Sequence, residues 1–136
     1  MACNLGAAWF HAISRHMHTL GLALTGFVGL FHVYVFVLET FLWTTPLGMK
    51  TFRNTPERAE ATKSFAVNQG VYNSFLAAGI FWGLASSAEL ALARLTFFLA
   101  CVFVAGIVGG ASVNKRIFFV QGLPALLALG ALWLAR

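Results

Sequence analysis

Four long apolar runs alternate with polar connections along this chain of 136 residues. They cover about 20–43, 65–84, 90–113 and 117–134. Each is close to the ~20 residues that cross a bilayer core as a helix. A membrane span must satisfy its own backbone, and the runs lack the strict alternation of barrel strands. The pattern therefore predicts an all-α fold. It is a transmembrane four-helix bundle forming one domain over 20–136, preceded by an N-terminal extension over 1–19.

The connections refine this picture. The first, TTPLGMKTFRNTPERAEATKS, is long and carries Lys50, Arg53, Arg58 and Lys63. Within it TTPLG reads as a turn that stops the first span. Thr55-Pro56-Glu57 reads as a helix start, with a capping hydroxyl, a proline suited to the first turn and an acid that complements the dipole. One helix from Pro56 to Leu84 with a wet first third follows. The second connection is little more than ASSAE, and the third is NKR with Lys115 and Arg116. Six basic residues in the first and third connections face Arg15, Arg94 and Arg136 on the other side. The positive-inside rule then places those two connections in the cytoplasm and both termini on the non-cytoplasmic side. Gly106, Gly109 and Gly110, with Ala105, Ala111 and Ser112, let the third span pack closely, and Pro124 predicts a kink in the fourth.

Polar residues interrupt the runs at similar depth. In HVYVFVLETFLW, His32 falls near the middle of the first span and Glu39 lies ~10 Å further toward its cytoplasmic end. Seven residues are nearly two turns, so both project from one face within ~20°. The second span opens with Asn68, Gln69, Tyr72 and Asn73, and the fourth carries Gln121 one turn in. Apart from His32 near the midplane, these groups fall in the cytoplasmic half. Ionisable groups at membrane depth face a bundle interior and mark function by default. The expected ligand-binding set is His32, Glu39, Asn68, Gln69, Tyr72, Asn73 and Gln121. The competing structural reading has the amides holding helices together, at about 0.6 kcal/mol each.

Composition supports the membrane reading. The chain is 60% hydrophobic and 10% charged, with no Asp, and its mean hydropathy is +0.81. It has too little polar surface for a soluble domain. The net charge of +5 does not point to nucleic acid, because the basic residues sit between apolar runs. Cys3 and Cys101 make no CxxC pair, and Cys101 reads as a small core residue. Trp43 and Trp133, with Trp9 and Trp82, read as interfacial anchors. The extension has no convincing cleavage site, so no removed signal peptide is expected. His11, His16 and His18 offer a metal-binding patch, but their spacing matches no specific zinc motif, so they read as a solvent-exposed or interfacial extension and no metal site is expected. Whether the protein takes a cofactor is left open by the sequence.

Three stretches carry a resemblance to a known family. HVYVFVLETFLW, NQGVYNSFLAAGIFWG and AGIVGGASVNKRIFFVQGLPALLALG resemble, in that order, the small bacterial membrane proteins of the domain of unknown function 1304 family. The resemblance spans about residues 20–134. It implies four membrane helices in the bacterial inner membrane and no activity that can be carried over.

Three functions remain in play. The first is binding or transport of a small polar ligand or protons, with a homodimer expected for so thin a bundle. The second is an accessory subunit of a larger membrane complex. The third is an embedded enzyme using His32 and Glu39 as an acid/base pair on a lipid-like substrate. The lipid bilayer is the partner common to all three.

Overall fold

The computed structural model describes the backbone from residue 2 to residue 136, with the side chains of residue 9 and of residues 11–136. The chain is all-helical, with no strand among the described residues. Helix α1 spans Ala2–Thr40, α2 Pro46–Phe52, α3 Pro56–Leu84, α4 Ala88–Ser112, α5 Lys115–Ile117 and α6 Leu123–Leu134. A π-helical turn, Phe118–Gly122, joins α5 to α6. Helix α1 runs unbroken through the expected extension into the first apolar run. His11, His16 and His18 are exposed on it. Cys3 lies outside the described side chains, and Cys101 is half-buried in α4.

Three helical stretches are long and apolar enough to cross a membrane: His11–Thr40, Ala88–Ser112 and Lys115–Leu134. Four were expected. The second run does form its helix, since α3 begins at Pro56 and ends at Leu84. It falls short on apolarity, because Glu57, Arg58, Glu60 and Lys63 are followed by Asn68, Gln69, Tyr72, Asn73 and Ser74. Its 29 residues extend ~43 Å, so length is not what it lacks.

The helices form two compact units. One joins the chain up to Val28 with Gly79–Arg136, and the other is Gly29–Ala78. In the first unit α4 packs on the π-helical turn and on α6. Leu95, Leu99, Val102, Ala125 and Ala128 are buried there. The expected close approach of α4 is present at Gly106, where a Cβ would stand 2.5 Å from the Cα and N of Gly122. At Gly109 and Gly110 a Cβ would instead meet side-chain atoms of Ile117 and Phe118, each at 2.8 Å, whereas Ala105, Ala111 and Ser112 are exposed. Pro124 has no N–H to give to a carbonyl one turn back. The chain opens the turn before it, and the Leu123 N–H reaches the Phe118 carbonyl in π register. At the other end of this unit, Arg94 lies 3.9 Å over the Trp82 ring and donates to Ser86 Oγ. Trp133 Nε1 donates to Thr96 Oγ1 at 3.1 Å.

The second unit contains the end of α1, all of α2 and most of α3. Helix α1 stops at Thr40, three residues before Trp43. Trp43 leaves the helical path because its indole N–H donates to the Ala59 carbonyl at 3.0 Å and to Thr62 Oγ1 at 3.2 Å. TTPLG is more than a turn. Thr45 caps α2 by accepting the Gly48 N–H, Pro46 opens the helix, and Arg53 closes it in the left-handed region at φ 54°. Thr55 caps α3 as expected, accepting the Arg58 N–H at 3.3 Å.

Candidate functional site

The packed face of α3 is written in small residues. Ala59, Ala66, Gly70 and Ala77 are buried at spacings of seven, four and seven, which keep them on one side of a helix. Small side chains let a second helix come close. A Cβ at Gly70 would run into Thr40 Oγ1 and stand 3.2 Å from the Thr40 N and 3.3 Å from the Glu39 Cβ. The end of α1 therefore lies directly on Gly70. Asn73 is three residues further along this stripe, which also carries the half-buried Thr62 near its start.

This approach brings Asn73 to Glu39. Asn73 Nδ2 donates to Glu39 Oε2 at 2.8 Å. Its second N–H points one turn back to the Gln69 carbonyl, at 3.2 Å. Both residues are nearly sealed, with Glu39 8% and Asn73 7% exposed. Two turns back on α1, His32 is fully buried, its ring edge-on to Phe31 at 5.8 Å between centroids. Thr40 Oγ1, beside Glu39 in sequence, is buried with no hydrogen-bond partner. A buried carboxyl group held by one amide can accept or release a proton or receive a small cation.

The remaining expected residues lie elsewhere. The side chains of Asn68 and Gln69 are exposed, and Tyr72 is 55% exposed with its ring against Phe75. Gln69 contributes to the cluster through its backbone carbonyl alone. Gln121 belongs to the first unit, half-buried in the π-helical turn. Among the described residues, no three His, Cys, Asp or Glu side chains gather where they can hold a metal ion.

A family profile described as a protein of unknown function, DUF1304, matches residues 26–133, a range that includes His32, Glu39 and Asn73. The chain belongs to the DUF1304 family. This DUF1304 chain is also similar to the uncharacterized protein YpaA of Lactococcus lactis subsp. lactis (strain IL1403). The two are 31% identical over 116 residues, covering 83% of this chain and 96% of the relative. No solved structure gives a significant match. The apolar helices of this family member are compatible with a membrane protein. Thr40 and Gly70, which frame the Glu39–Asn73 pair, lie outside the expected set. Gly70 was visible in principle, because Ala66, Gly70 and Ala77 form a small-residue stripe that includes Asn73.

Proposed function

We propose that the chain is a four-helix integral membrane protein of the bacterial inner membrane, with 20–136 forming one transmembrane domain. In this reading Glu39 and Asn73 form an intramembrane site for a proton or a small cationic ligand. His32 lies two turns back along α1 on the same face. The buried bond from Asn73 to Glu39 carries the proposal. A carboxyl group is costly to place among apolar helices and is kept there where it binds or relays charge. The first and third connections face the cytoplasm and both termini face outward, as the six basic residues of those connections favour. An alkaline phosphatase fused to the C-terminus should then be active, and an inactive fusion removes this orientation.

The function is tested in proteoliposomes containing the full-length chain and a pH-sensitive dye. The wild type should dissipate an imposed proton or cation gradient faster than empty vesicles. Glu39→Gln keeps an acceptor for Asn73 and should remain folded while the flux stops. Flux unchanged in Glu39→Gln refutes the role of Glu39, and wild-type vesicles no leakier than empty ones refute transport.

A second reading, an accessory subunit, is favoured by one observation. Asn68, Gln69 and Tyr72 are exposed on α3, where a partner helix would satisfy them. Purification in a mild detergent should then yield a stable complex, and a lone monodisperse species removes this reading.

A further inference from the structure

Apart from Glu39, the first unit has an open groove of about 310 Å³ where α4 meets the turn into α5. Its lining is Ile107, Gly110, Ala111, Phe118, Phe119 and Lys115. The groove exists because α4 ends in small residues. A Cβ at Gly110 would stand 2.8 Å from the Phe118 Cβ, so the backbones lie close and little side chain fills the space beside them. Phe118 and Phe119 form one wall, with ring centroids 5.5 Å apart in an edge-to-face pair. Five of the six lining residues are apolar. The sixth, Lys115, is followed by the exposed Arg116. Asn114 Oδ1 accepts the Arg116 N–H at 2.9 Å and fixes the turn that presents both. No acidic residue occurs from Leu90 to the final Arg136, so nothing in that stretch neutralises the pair.

We propose that this groove binds an anionic phospholipid, with one acyl chain along Ile107, Ala111 and Phe119 and the headgroup phosphate on Lys115 and Arg116. An apolar trough lined at one point by Lys115, with the exposed Arg116 next in the chain, matches the two halves of such a molecule. A zwitterionic lipid carries its own cation beside the phosphate and gains less from the pair. Free phosphate gains nothing from the trough. Basic residues clustered at the end of a membrane helix recognise anionic headgroups by charge. The proposal rests on α4 and α6 being membrane helices and is independent of Glu39.

The test is native mass spectrometry of the full-length chain in a non-ionic detergent. It is titrated with phosphatidylglycerol and with phosphatidylcholine of the same acyl chains. The wild type should bind phosphatidylglycerol on the order of thirtyfold more tightly, the contribution expected of two basic residues at an anionic surface. Lys115→Gln with Arg116→Gln should reduce the preference to about twofold or less. Ala111→Trp, which fills the groove, should weaken both lipids. Arg53→Gln with Arg58→Gln, on the first connection, should retain the wild-type preference, and inorganic phosphate should not compete. The proposal is overturned if the wild type does not distinguish the two lipids, or if the preference survives loss of Lys115 and Arg116. Competition by phosphate alone also overturns it. So does a dimer that Ala111→Trp dissociates while lipid binding stays unchanged, because a second copy then occupies the groove.

Discussion

Removing the Asn73 amide isolates the energy of the buried pair. In Asn73→Ala, Glu39 Oε2 loses the donor that lies 2.8 Å away and stays in a position only 8% exposed. A buried polar group stripped of its partner costs about 1–3 kcal/mol. Hydrogen bonds between membrane helices average nearer 0.6 kcal/mol and reach about 1.7 kcal/mol. The near-complete burial of both partners places this pair toward the upper end of that second range, at about 1.5 kcal/mol for Asn73→Ala. The reverse deletion is milder. In Glu39→Ala the Asn73 amide keeps its bond to the Gln69 carbonyl, so the orphaned donor is partly satisfied. Glu39→Gln preserves an acceptor oxygen and should stay within about 0.5 kcal/mol of wild type.

A double-mutant cycle separates this bond from side effects of each truncation. The cost of Asn73→Ala should fall to a few tenths of a kcal/mol when Glu39 is already Ala, for a coupling of about 1 kcal/mol. Unfolding of the purified chain by sodium dodecyl sulfate in mixed micelles, followed by circular dichroism, measures all four corners. Additivity within about 0.3 kcal/mol refutes the reasoning. The two side chains would then be neighbours without a bond that matters, and the case for a site at Glu39 would lose its support.

Two further substitutions test the close helix approaches, and one tests a helix end. Gly70→Ala should cost about 1–3 kcal/mol through overpacking against Thr40. Adding Thr40→Ala should recover part of that cost in the same denaturation assay, because the first atom met is the hydroxyl. Gly106→Ala should be worse and beyond rescue by trimming any side chain, since its Cβ meets the Gly122 backbone. Loss of a folded, monodisperse peak in size-exclusion chromatography is the expected result. Glu57 is exposed at the start of α3, where bonds from its own amide and from Thr55 hold its carboxyl below the ordinary 4.5. A depressed carboxylate stabilises fully above its unfolded value and loses that contribution as pH falls through its folded value. Glu57→Gln should therefore lower stability slightly near neutrality, and its profile should converge on the wild type as pH falls below about 4.5, where the Glu57 contribution is lost.

Local grammar was legible where it was sought. Thr55-Pro56 announces α3, and the structure starts the helix there with Thr55 as its cap. Thr45-Pro46 carries the same grammar ten residues earlier and announces α2, which the turn reading of TTPLG passed over. Gly48 and Pro46 weigh toward a turn when counted as residue types. Yet Gly48 lies inside α2 because a Cβ there would collide with the Leu42 carbonyl, a packing demand that composition does not reveal. The π-helical turn was less legible. Pro124 advertises a disturbance, but an inserted residue in register leaves no periodic mark in an apolar run.

The candidate site was half legible, and α3 shows why. Grouping polar residues by depth uses distance along the helix and ignores angle around it. At 3.6 residues per turn, Tyr72 lies about 100° and Asn68 about 140° from Asn73. These three share a depth and cannot share a pocket. Gln69 is only about 40° from Asn73, but on the side away from Gly70, and its side chain emerges at the edge of the packed face. The angular information lies in the small residues, because Ala66, Gly70 and Ala77 mark the side on which another backbone can approach. Reading both coordinates selects Asn73 from α3's amides and pairs it with the end of α1. It also assigns Asn68 and Tyr72 to a different surface, where they need water or a partner helix, so substitutions at Asn68 and Asn73 are expected to act on different properties of the protein.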